Sequence, residues 1–85
     1  MDKLTFPEQQ AFRVGFLLID GFALMSYSAA VEVLRAANLL AGRTLYTIRH
    51  IPGTGARAVS SSGAIIEATG HLGKDFDFDL VLVVA

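Results

Sequence analysis

The run from Phe12 to Gly42, FRVGFLLIDGFALMSYSAAVEVLRAANLLAG, constrains the fold more than any other feature of the chain. Phe12 to Ile19 is almost continuously apolar and rich in strand formers. A strand covered on both faces reads this way, as in a parallel sheet between helix layers. Gly15 inside it marks close packing against the backbone, and Arg13 near its start suits a sheet edge or mouth. Asp20-Gly21 is a turn signal, and Gly21 can take positive φ without penalty. A helix follows from about Ala23 to Ala41. Tyr27, Ala30, Val31, Leu34, Ala37 and Ala41 recur at helical spacing and make one apolar face. Ser28, Glu32 and Arg35 lie on the other side, where Glu32 and Arg35 can pair. Gly42 supplies the stop.

The remaining segments supply neighbours for this unit. Thr44 to Ile51 alternates, is β-branched and reads as a second strand. Ala58 to Thr69 reads as two short strands around a Ser-Ser-Gly turn. Gly70 to Asp79 is a polar, acidic loop in which Asp75, Asp77 and Asp79 alternate with Phe76 and Phe78. It lacks the glycine and terminal glutamate of a calcium loop. Leu80 to Ala85 is a fully apolar strand. A strand–helix–strand unit with apolar strands implies a parallel sheet with a right-handed crossover, and a three-layer α/β/α sandwich is the expected architecture. One long helix covers one face of such a sheet only. Residues 12–85 are therefore expected to form the N-terminal part of a larger domain, with residues 1–11 as a loose tail.

Composition narrows the chemistry. The 85 residues allow one small domain. The seven basic residues are scattered and the net charge is −1, whereas a nucleic-acid surface needs clustered Lys and Arg. The chain has no cysteine, so it holds no disulfide, thiolate metal site or Cys nucleophile. Its apolar runs are too short to cross a bilayer, and a cytoplasmic location is the default expectation. His50 is a lone histidine without ligand-spaced partners, which speaks against a metal site. The serines near residue 61 have no histidine base beside them, so turn chemistry is their better reading. No cofactor and no catalytic residue are expected. Asp20 has two readings. It can bond backbone amides ahead of it and help start the helix, the preferred reading, or line a pocket at the carboxyl end of the first strand, where open α/β sheets bind ligands. Glu32 likewise reads as a pocket carboxylate or, more safely, as part of a solvated or inter-subunit helix face.

Several residues together carry a family resemblance: Gly21-Phe22, Glu32, Leu34-Arg35, Ala37-Asn38, Gly42-Arg43, Leu45-Tyr46, Ser61-Ser62-Gly63 and Phe78-Asp79-Leu80. In this combination the chain resembles the N-terminal domain of GlxA-type regulators of the AraC family. That domain belongs to the PfpI-like, class I glutamine amidotransferase-like superfamily. The resemblance covers residues 12–85 and implies a flavodoxin-like sandwich with a mostly parallel sheet. It also implies a homodimer in the full-length protein, a small-molecule effector such as an amino acid or quaternary amine, and DNA binding through a C-terminal helix-turn-helix region outside this chain. Relatives of this kind respond to arginine, glycine betaine or carnitine. Asp20, Gly21 and Ser26 are the expected ligand-proximal positions. The superfamily's enzymes carry a nucleophilic Cys further on and an acid early in the first helix. Ser26 stands at the matching position here, and a serine cannot tune a thiolate. A PfpI-like hydrolase or hydratase with a downstream Cys is the alternative function.

Overall fold

A computed structural model describes residues 10–71 and 78–85. The readings placed on residues 1–9 and on Asp75, Phe76 and Asp77 lie outside the described residues. Six elements follow one another: β1 (Phe12–Leu18), α1 (Leu24–Ala41), β2 (Tyr46–Pro52), β3 (Arg57–Val59), β4 (Ile65–Glu67) and β5 (Leu80–Val84). The main sheet has the order β2-β1-β5, with both pairings parallel. β3 and β4 form a separate antiparallel hairpin. With the hairpin set aside, the main strands stand in the order second, first, third, which is how a flavodoxin-like sheet begins. The chain is thus an α/β unit consistent with the N-terminal part of a flavodoxin-like sandwich.

β1 is central, which accounts for its continuous apolar sequence. Val14, Phe16 and Leu18 point toward α1 and are fully buried, with Phe16 and Leu18 at 0% exposure. Leu24, Tyr27, Ala30, Val31 and Leu34 of α1 pack on them, so the apolar helix face is the expected one. Burying each such side chain contributes about 1.5–3 kcal/mol. The other face of β1 carries Gly15. A methyl group there would lie 2.9 Å from Ile51 Cδ1 and 3.2 Å from Phe78 Cδ1, so side chains from two segments use the space that a glycine leaves.

The ends of α1 are set differently. Gly42 adopts φ 70°, and its amide bonds the carbonyls of Asn38 and Leu39. This is the expected glycine stop. Asn38 reinforces it, accepting at Oδ1 from the amides of Leu45 and Tyr46 and donating Nδ2 to the Tyr46 carbonyl at 2.9 Å. At the other end Ala23 is the cap residue, and no side chain caps the helix. The reading of Asp20 as a helix cap is therefore corrected. Ala23 lies between Asp20 and the helix, so the loop carries the Asp20 carboxylate elsewhere.

Candidate ligand-binding edge of the sheet

Asp20, Gly21 and Phe22 cross the carboxyl edge of the sheet between β1 and α1. Gly21 takes φ +87°, a left-handed conformation that a side chain disfavours. The turn closes with the Phe22 amide donating to the Ile19 carbonyl at 2.9 Å, and it sends Phe22 inward to 0% exposure. The hairpin grips this loop. The Val59 amide donates to Asp20 Oδ1 at 3.0 Å, the Gly21 amide to the Val59 carbonyl at 2.7 Å, and the Ser61 amide to the Phe22 carbonyl at 2.9 Å. One Asp20 oxygen thus anchors β3 across 39 residues of sequence. Ser26 sits exposed in the first turn of α1. The amides of Leu24, Met25 and Ser26 precede the first intrahelical bond, Tyr27 N–H to the Ala23 carbonyl at 3.2 Å, and leave donors at the helix end. The structure places all three expected positions at one edge, with no hydrogen bond joining them. Gly21 and one oxygen of Asp20 already have structural tasks.

Just below this edge lies a pair that the sequence reading missed. Tyr27 Oη and His50 Nε2 are 2.8 Å apart, so His50 is not alone. The Tyr27 ring meets Phe16 and Phe22 edge-on at 5.8 and 6.0 Å. Burial pushes the His50 imidazole below its ordinary pKa. It pushes the Tyr27 phenol up, helped by the Glu32 charge. The available signal was parity: Tyr27 falls on the apolar helix face, and His50 alternates inward with Ile48 along β2.

Other polar residues prove to be fasteners. Ser60 is 4% exposed, and its Oγ accepts from the amides of Ser62 and Ala64. Gly63 completes that turn at φ +89°, which matches the turn reading of the serines. Glu32 and Arg35 pair at 2.7 Å. Arg13 grips Asp79 with two nitrogens at 3.1 and 3.2 Å, and its backbone amide donates to the same carboxylate. The Arg13 side chain and amide hold the Asp79 carboxyl below the usual range. A cleft of about 660 Å³ opens beside this pair, lined by Gln10, Phe12, Arg13, Thr47, Arg49 and Phe78 among others. It lies at the amino ends of the strands, opposite to where open α/β sheets hold ligands, and its acid and one of its arginines are already paired. The carboxyl edge is the better candidate. Among the described residues, no cluster of His, Cys, Asp and Glu could hold a metal ion. Among the same residues, no helix is long and apolar enough to cross a membrane.

No family model matches the chain. Over 51 residues, 60% of its length, it is 61% identical to the HTH-type transcriptional regulator GlxA of Rhizobium meliloti. Over 62 residues, 73% of its length, it is 42% identical to the HTH-type transcriptional regulator GbdR of Pseudomonas aeruginosa. The fold superposes on the crystal structure of an AraC family transcriptional regulator from Pseudomonas putida with a TM-score of 0.77 and 29% identity. The chain is homologous to GlxA-type regulators of the AraC family. It spans 16% of the length of each of these curated relatives. The superposition covers 87% of this chain and 40% of the solved one. The residues that carry the GlxA-type resemblance are mostly builders of this fold. Gly21 makes the turn, Phe22 fills the core, Asn38 and Gly42 end the helix, the Ser61-Ser62-Gly63 turn closes the hairpin, and Asp79 receives Arg13. Homology here reports the scaffold more directly than the ligand.

Proposed function

We propose that the chain is part of the effector-sensing domain of an AraC-family transcriptional regulator. It contributes to a site for a small metabolite, an amino acid or a quaternary amine, at the carboxyl edge of its sheet. The observation that carries this reading is the 61% identity to GlxA. The edge suits it: Ser26 offers an exposed hydroxyl, and the first-turn amides of α1 offer donors to a metabolite's carboxylate. DNA is bound by a helix-turn-helix region outside this chain, in keeping with its net charge of −1. The full-length regulator works as a cytoplasmic homodimer and is not an enzyme. A PfpI-like hydrolase would need an acid where Ser26 stands.

The test is an amide-resolved NMR titration of the chain with arginine, glycine betaine and carnitine. Shifts centred on Gly21 and Leu24 to Ser26 are expected for at least one compound, weakened by Ser26→Ala. Shifts centred instead on Thr47 and Arg49 would move the site to the amino edge.

A further inference from the structure

The Tyr27–His50 hydrogen bond spans 23 residues and ties the start of α1 to β2. Its surroundings are rings. Phe16 lies 5.8 Å from Tyr27 and 6.5 Å from His50, and Phe22 lies 6.0 Å from Tyr27. We propose that this bond is a proton-sensitive latch: neutral His50 holds the first two turns of α1 on β2, and protonation of His50 loosens them.

The chemistry follows from the two atoms. A neutral imidazole with bare Nε2 accepts the phenol O–H. Once protonated, Nε2 is a donor, so the Tyr27 O–H must turn away and offer its oxygen instead. The charge would also sit in a half-buried site, which is costly without an anion. None faces it. From α1 the nearest acid is Glu32, held by Arg35 at 2.7 Å. From β1 comes Phe16. From the segment after β4 come the Thr69 hydroxyl, which accepts from the His50 amide at 2.7 Å, and the Thr69 and Gly70 amides, which donate to the His50 carbonyl. Glu67 of β4 lies within 3.9 Å of Arg57. Arg49 and Ile51 alternate to the other face of the sheet. Among the described residues no carboxylate is within ion-pair distance of His50. Burial lowers the His50 pKa while Tyr27 stays protonated at neutral pH, so the latch is closed there. The unfolded chain binds the His50 proton more tightly than the folded one. Stability is therefore full above the ordinary histidine value of about 6.5 and falls as pH drops toward the lowered value. The latch adjoins the candidate edge through Ser26 and Phe22.

The test is an NMR pH titration of the whole chain, with the His50 ring signal assigned by its loss in His50→Gln. His50 is expected to titrate below the ordinary histidine value, and the amides of Tyr27 to Val31 to follow the same curve. Tyr27→Phe removes the donor that favours neutral His50, so the midpoint should move upward. An ordinary or raised midpoint in the wild-type chain overturns the latch, as do helix amides that ignore it or a midpoint unmoved by Tyr27→Phe. The wild-type curve decides the matter even where Tyr27→Phe does not fold. No ligand enters this test, so its failure is distinct from a failure of the sensing proposal.

Discussion

Asn38 uses both ends of its amide, receiving two backbone N–H groups and giving one back to a carbonyl. Asn38→Ala leaves these half-buried groups without partners, at about 1–3 kcal/mol for such a loss. Urea denaturation should show a lower midpoint with little change in slope. Gly15→Ala sets a methyl 2.9 Å from Ile51 Cδ1. Because the neighbours are side-chain ends, the cost should stay near the lower limit of the overpacking range, about 1 kcal/mol, read as a lower thermal midpoint. Asp79 adds a pH term with a definite sign. Arg13 depresses its folded pKa, so this stabilisation is present above the ordinary carboxylate value and is lost as pH falls through the folded one. Asp79→Asn should flatten the acid limb of the stability curve. Asn38 was legible as a motif residue, but its task was not, since the partners at Leu45 and Tyr46 follow from the path of the loop. Asp20 was misread for the same reason. A short-range cap is visible in sequence, whereas a partner 39 residues away is not.

At the scale of elements, the strands and α1 were legible because each repeats its pattern over many residues. β1 reads as buried because it has neighbours on both sides, and the helix stops where Gly42 turns left-handed. The hairpin was legible as two short strands, but not its attachment to the β1–α1 loop, which rests on single hydrogen bonds. That attachment is testable. Asp20→Ala removes the acceptor for the Val59 amide and should cost about 0.5–1.5 kcal/mol. Hydrogen exchange at Val59 should accelerate, while exchange in the centre of β1 stays slow. Equal acceleration in both would mean that the hairpin and sheet open as one unit.

Across the whole molecule, one sheet face is covered by α1 and the other is only partly covered. Val81 and Val83 remain exposed there, and Met25, Val33, Leu39 and Leu40 are exposed on the outside of α1. Apolar surface of this extent favours association. Sedimentation velocity on the isolated chain should show a concentration-dependent rise in mean mass, reduced by Val33→Lys. The layered architecture was legible from one strand–helix–strand unit. The candidate edge was legible only as a location, because Gly21 and one oxygen of Asp20 are occupied in building the fold.

The central claim is that these residues sense a metabolite for a DNA-binding regulator. Its most direct test is the affinity of the complete regulator for its promoter DNA, followed by fluorescence anisotropy with and without arginine, glycine betaine and carnitine. The account predicts that one of these compounds changes the affinity. Ser26→Ala should weaken that response and leave affinity without effector unchanged. DNA binding that ignores every compound, or a response untouched by substitution at this edge, would contradict it.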